Sequence, residues 1–468
     1  MINAARFSFQ LRILSVVMIA FTFTARAQDN SLQTPNSGDD GKTPVPLEKK
    51  AEASEKPEQQ NWAIHFDAIE VLQGQPGFHA PYSGTNSLHP GDNFRQTTDA
   101  DIFLDVHLWP GGEFYFNGEY YQGFGLGLTH GLVDFSNSMA YKVGKYRGDV
   151  NIPHLFLRQT IGFGGEQEQL EADELQLAEK VDISRLTIQV GRMAITDIFD
   201  NNAYAHNPRV DFLNWGAVDS IAFDYPADAL GYEEGATIEL NQKTWALRYG
   251  WFTVPARGNE NATDGRYLEA WDQVLELEER YTLFGHPGKL RLLGYLERAH
   301  TGSYRAVTDK PSLNLDITAT RRYRLTEGFV VNIEQEIAPD LGAFFRLGLH
   351  NPNYEAWAFS DASRSVEVGL SLKGTAWRRP NDTVGLANMA AGTGHAAQEY
   401  FNEGGLGILA GDGKLPHYGW ENVVEFYYNF EVHKGVNVTF DYQFAVNPAF
   451  NEDRGPINIL GARIDVKF

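Results

Sequence analysis

Between residues 191 and 226 the chain concentrates side chains suited to contact rather than burial. Arg192, Asp197, Asn201, Asn202, Arg209, Asp211, Asn214 and Asp224 interleave with Phe199, Tyr204, Phe212, Trp215, Phe223 and Tyr225. The stretch is too polar for a strand against lipid and too long for a hairpin turn. A long ordered insertion of this composition suits a loop that narrows a larger structure. Catalytic chemistry has no comparable concentration. Glu233-Glu234 and Glu334/Glu336 are carboxylate pairs on paper, but isolated acids among 61 coincide cheaply. No H-E-x-x-H occurs among 13 histidines, no G-x-S-x-G occurs, and there is no cysteine. Gly123-Phe124-Gly125-Leu126-Gly127 and Gly162-Phe163-Gly164-Gly165 lack the strand-then-helix flanks of a phosphate loop and read as turns or strand kinks. No enzyme activity, cofactor or metal is expected.

The elements that must position this insertion are strands. Leu460, Ala462, Ile464, Val466 and Phe468 share one face of a terminal strand, and Gly461, Arg463, Asp465 and Lys467 share the other. A strand with one apolar and one charged face, ending flush on an aromatic, resembles the closing strand of a bacterial outer-membrane barrel. There the apolar face meets lipid and the charged face meets a wet lumen. The same two-residue period runs through Trp62–Ile69, Asp101–Leu108, Ala236–Asn241, Trp245–Trp251, Val366–Lys373 and Val436–Tyr442. Strands of about 10 residues with slightly longer connections fit about 16 times into residues 61–468, a number that encloses an aqueous channel. The fold class is therefore all-β, a transmembrane antiparallel barrel with a constriction loop. Trp62, Trp109, Tyr120, Tyr121, Trp245 and Trp251 suit interfacial girdles. The acidic segment 166–180 reads either as an exposed loop helix or as a loop folded into the lumen.

Composition agrees. Lys and Arg total 39 against 61 Asp and Glu, a net charge of −22, which argues against nucleic-acid partners. Residues 1–27 read as a secretory signal: Arg6 and Arg12, an apolar run within Leu11–Phe23, then Ala25-Arg26-Ala27 before Gln28. Its removal takes three arginines and no acid, leaving about −25. Residues 28–60 carry Pro, Ser, Asp, Glu and Lys and read as a flexible periplasmic leader.

The stretch Gly191–Asp228 resembles the carbohydrate-selective porins of Gram-negative outer membranes, the glucose-porin type. The resemblance continues through Gly231-Tyr232 and Trp245–Pro255, returns at Asn332–Glu336 and Leu341–Arg346, and covers Arg379–Leu386. It ends with Glu421, Glu425–Tyr428, Asp441-Tyr442-Gln443 and Asn447-Pro448. It implies a sixteen-stranded barrel, passive diffusion of glucose-like monosaccharides into the periplasm, and an eyelet lined by charged and aromatic side chains.

A sugar offers hydroxyls at its rim and C–H groups on its faces. Arginine forks and carboxylates suit the rim, and an aromatic suits the face. On that reading Arg209 and Trp215 are the expected constriction residues. Arg192, Asp211, Arg158, Arg248, Arg346 and Glu239 are further candidates for substrate contact. Lumen arginines also form ion pairs that merely stiffen the wall. The partners expected are carbohydrate solutes, outer-membrane lipid and the barrel-assembly machinery, reached through Phe468, with the barrel a homotrimer or a monomer. A channel for other substrates, or a secreted β-rich sugar-binding protein, is the rival reading.

Overall fold

The computed structural model describes residues 59–91, 94–140, 144–258 and 260–468. The signal and all but the last two residues of the leader lie outside the described residues. In chain order the strands are β1 (Trp62–Gly74), β2 (Phe94–Trp109), β3 (Gly112–Phe124), β4 (Gly144–Gly162), β5 (Gln167–Leu170), β6 (Glu179–Asp182), β7 (Arg185–Met193), β8 (Glu233–Asn241) and β9 (Trp245–Phe252). Then come β10 (Trp271–Leu283), β11 (His286–Thr301), β12 (Arg322–Ala338), β13 (Leu341–His350), β14 (Arg364–Gly374), β15 (Arg379–Gly392), β16 (Glu421–His433), β17 (Val436–Val446) and β18 (Ile457–Lys467). Sixteen of them, all but β5 and β6, close into an antiparallel barrel with β1 beside β18. Closure satisfies every strand edge from within the wall, which is what a lipid environment requires.

The seam is closed by the chain's last residue. Phe468 N donates to Phe66 O at 2.8 Å and Phe66 N to Phe468 O at 3.1 Å. Their rings stack at 6.0 Å. The wall is inverted relative to a soluble protein. Ile64, Ile102, Leu275, Phe440 and Leu460 are exposed, whereas Asp105, Glu276, Glu367 and Glu425 are fully buried. An apolar exterior and a charged interior suit lipid outside and water inside.

The two ends differ. Connections at the end holding Trp62 and Phe468 are short apart from 163–184, and several need a left-handed residue, as at Gly285 (φ +86°) and Gly435 (φ +75°). Long connections crowd the other end, at 75–93, 125–143, 194–232, 253–270, 302–321, 351–363 and 393–420. In outer-membrane barrels the short turns are periplasmic and the long loops extracellular.

The acidic segment 166–180 is not a helix. β5 and β6 form a hairpin on the short-turn end. Its tip turns onto the lumen mouth, with Leu177 fully buried and Leu175 O accepting from Arg158 at 3.2 Å. Lys467 holds it by Asp173 at 2.7 Å and Glu174 at 3.1 Å.

Candidate functional site

Residues 194–232 fold into the barrel rather than over it. One turn of helix, α1 (Trp215–Val218), is started by Asn214, whose side chain accepts from Gly216 N. The aromatics of the insertion pack among themselves and against the wall. Trp215 lies between Phe135 at 5.0 Å and Phe359 at 5.5 Å, both nearly parallel. Phe212 meets Tyr427 edge-on at 4.8 Å, and Phe223 packs on Tyr295 at 5.2 Å. Residues 132–140 of the connection after β3, which the sequence did not single out, fold inward beside it, supplying Phe135 to this small core.

An inserted loop has backbone groups that no strand partner satisfies, and the lumen face supplies partners for them. Glu425 accepts from Leu213 N at 2.6 Å and Asn214 N at 3.1 Å. Glu367 accepts from Ile221 N at 2.9 Å, Glu276 from Asp200 N at 2.8 Å and Glu334 from Ala203 N at 2.9 Å. Glu421 does the same for Val133, Asp134 and Ala449. For the carbonyls, Arg346 donates to Ala217 O and Ala205 O, each at 2.8 Å, and to Val218 O at 3.1 Å. Arg463 donates to Pro208 O at 2.6 Å and to Asp211 O. Charge-assisted bonds of this kind are roughly twice as strong as neutral ones. They fix the loop's place in the lumen.

Arg209 does for the loop's side chain what Arg346 does for its backbone. Its guanidinium contacts Asp99 at 2.5 Å, Asp67 at 3.4 Å and Asp101, on β1 and β2. Trp215 has both ring faces covered and is 3% exposed. Arg346 is fully buried. These three candidates tie and fill the constriction loop. Asp211 closes a turn in it, accepting from Asn207 N at 3.4 Å. Burial pushes its carboxyl up to about 6, against the opposing effect of that amide and of Arg463. Nearby His206 is held above its ordinary range: burial works against the charged form, but Asp219, 3.5 Å away, outweighs it.

Arg192 falls elsewhere. It pairs in register with lipid-facing Leu155 and follows exposed Val190 by two residues, so it shares their outer face. There it meets Asp228 and Glu234, the latter at 3.2 Å. Expecting it in the lumen was an error of parity: Gly191, with Gln189, is on the inward face and Arg192 is not. Arg158 faces inward at the periplasmic end, 4.4 Å over the Tyr115 ring.

Glu239 and Arg248 remain, and the structure brings them together. Arg248 Nε donates to Glu239 at 2.6 Å, and Nη1 to Glu276 at 2.7 Å and Glu278 at 3.1 Å. Glu278 also receives Arg280 at 2.7 Å and Arg291 at 2.9 Å, and Arg291 continues to Glu334 at 3.0 Å. This ladder crosses β8 to β12 and lines an open cavity of about 310 Å³, with Thr187, Gln189, Thr237 and Lys289 on the wall. Asp197, Ile198 and Asn201 of the insertion face it from the other side. Glu278, Arg280, Lys289 and Arg291 were missed as site residues. Their signal was present, since Glu276 and Glu278 alternate with Leu275 and Leu277, and Lys289 and Arg291 with Leu290 and Leu292.

A closed sixteen-stranded barrel with an apolar exterior, narrowed from within by a folded loop beside a charged, open wall, is an outer-membrane porin. The profile of the carbohydrate-selective porin, OprB family matches residues 85–468, and the chain belongs to that family. It is accordingly a carbohydrate-selective porin of the outer membrane, a transporter by class. No curated protein sequence matches it. Among solved structures it is similar to Pseudomonas putida OprB in its high-pH form, with TM-score 0.64 and 15% identity over 87% of this chain and 94% of that one. The Acinetobacter baumannii channel DcaP aligns at TM-score 0.46 and 11% identity, over 87% of this chain and 97% of that one.

Proposed function

We propose that glucose-like monosaccharides diffuse passively past the ladder of β8–β12, with Arg248 and Glu239 as the principal contacts. One observation carries this reading. Among the described residues Arg248 uses Nε and Nη1 on carboxylates, while Nη2 makes no hydrogen bond, and the residue lines the cavity. Two donors are thus held in place by the ion pairs and left for a solute. A pyranose rim needs donors and acceptors side by side. The partly exposed carboxylate of Glu239, 2.6 Å from the same guanidinium, supplies the acceptor. Because each group already has a protein partner, a hydroxyl only exchanges for water at the remaining positions. Binding stays weak, as conduction demands.

Five of the other six candidates form the frame in this proposal: Arg209, Trp215, Asp211 and Arg346 hold the constriction loop, and Arg158 holds the periplasmic hairpin, while Arg192 lies on the outer face. Residues 1–27 act as a cleaved export signal, residues 28–60 as a periplasmic leader and residues 61–468 as the porin domain. Lipid covers the apolar belt, and Phe468 addresses the barrel-assembly machinery. The barrel works as a homotrimer or a monomer, which cross-linking in native membranes distinguishes. No catalytic step is assigned.

The test is planar-bilayer conductance of the detergent-purified protein, titrated with glucose and with a non-sugar solute of equal size. Glucose-specific block in the parent, weakened in Arg248→Gln, supports the proposal. Block that survives the substitution unchanged removes Arg248 from the site. Block by both solutes alike removes the sugar-specific contact altogether.

A further inference from the structure

In the lumen Arg209, Arg248, Arg291 and Arg346 are paired with acids. On the outer face Arg266 and Arg298 are not. Arg298 on β11 shares the outward side with exposed Leu292 and Leu296, and stands opposite Trp271 of β10 in register. Its guanidinium lies 5.6 Å from the ring of Tyr323 on β12. Arg266, from the exposed connection 253–270, lies 5.5 Å from the same ring and donates from Nη1 to the Tyr323 hydroxyl at 3.3 Å. His300, opposite Tyr323 in register, packs on it at 5.1 Å. Among the described residues neither guanidinium has a carboxylate within ion-pair distance. Arg298 donates to the backbone oxygen of Glu269 at 2.5 Å. Asp264, the carboxylate built into the cluster, accepts from the Tyr323 hydroxyl at 2.6 Å and from Arg266 N at 3.0 Å.

The location makes this arrangement specific. It sits on the lipid side of the wall, at the end carrying the long loops, where the apolar belt gives way to Trp271 and Tyr323. That is the level of the outer leaflet's headgroups. Beside it Leu268 is 92% exposed and Tyr267 is 53% exposed, offering apolar surface at the same rim. Two guanidiniums gathered on one aromatic ring match the oxygens of a phosphomonoester, and arginine binds such groups by its fork.

We propose that Arg266 and Arg298, braced on Tyr323, form a binding site for the phosphorylated headgroup of an outer-leaflet glycolipid. The site lies outside the pore. It anchors the β10–β12 rim to the leaflet and ties loop 253–270 to the membrane plane.

The test uses folded, detergent-purified protein and native mass spectrometry with bis-phosphorylated lipid A, its dephosphorylated counterpart and inorganic phosphate. The parent should retain the phosphorylated lipid. Arg266→Gln with Arg298→Gln should bind it at least about tenfold more weakly, and the dephosphorylated lipid should bind the parent no better than that. Inorganic phosphate in large excess should leave the lipid in place. Equal binding by parent and variant, or indifference to the phosphates, overturns the site. Displacement by inorganic phosphate alone overturns the glycolipid and leaves a free-anion site. If the double variant does not fold, Arg298→Lys is read instead, where loss of the fork alone should weaken retention. Glucose-blocked conductance steps report the pore separately, so this proposal and the proposed sugar contact fail independently.

Discussion

Two parts of the lumen wall use the same residue types for opposite ends. On β12 to β16 and β18, carboxylates and arginines reach a folded loop: Glu425 and Glu367 take backbone amides, and Arg346 and Arg463 take backbone carbonyls. On β8 to β11 they reach one another, as Glu239, Arg248, Glu278 and Arg291 do across neighbouring strands. The charges of the first wall hold the loop. The second borders the open cavity, and it is the wet wall of the proposed function, where its charges would meet solute. What separates them is which side of the barrel the insertion packs against, not any property of the side chains.

The comparison breaks most sharply at Arg346. Arg346→Met should leave Asp200 and three loop carbonyls without their partner, at a cost of about 3–5 kcal/mol. The expected outcome is a released loop, with larger conductance steps, lost glucose block and earlier denaturation in lipid vesicles followed by tryptophan fluorescence. A parent-like conductance would show that the aromatic core alone holds the loop. Glu425→Gln keeps shape but removes charge from the acceptor of two loop amides. A loss of roughly 1–2 kcal/mol is expected, with noisier steps of parent size, and a silent phenotype would argue that these amides are satisfied without a full charge.

On the wet wall the effects should move from stability to selectivity. Arg248→Gln should raise the glucose concentration for half-block by about three- to tenfold with folding intact. Instability comparable to Arg346→Met would mean that this wall, too, is structural. Glu239→Gln is the smallest change. It should raise the same concentration by about two- to threefold and shift the reversal potential in a salt gradient toward anions, since one lumen carboxylate is gone. No shift would place the controlling field elsewhere along the pore.

Much of this architecture is legible in the residues. Alternation exposes Ile102, Leu275 and Leu460 and buries Asp105, Glu276 and Arg463, because a strand's faces are set by parity alone. The length and polarity of 194–232 mark it as an insertion. Parity also corrects a reading: Arg192, beside Gly191, belongs to the outside. The hairpin at 166–182 was harder, since its acids resemble a solvated helix and only the mouth of the barrel supplies Arg158 and Lys467 to hold it.

The sequence by itself therefore determined the barrel, its inside and outside, and the presence of a constriction loop, all local consequences of a two-residue period and its interruptions. Only the tertiary structure decided which charges anchor the loop and which line the open cavity. Arg209 with Asp67, Asp99 and Asp101, Arg346 with Ala217, and Arg248 with Glu278 join residues far apart in the chain. Their roles depend on whether burial leaves a donor for water, and no spacing along the chain encodes that.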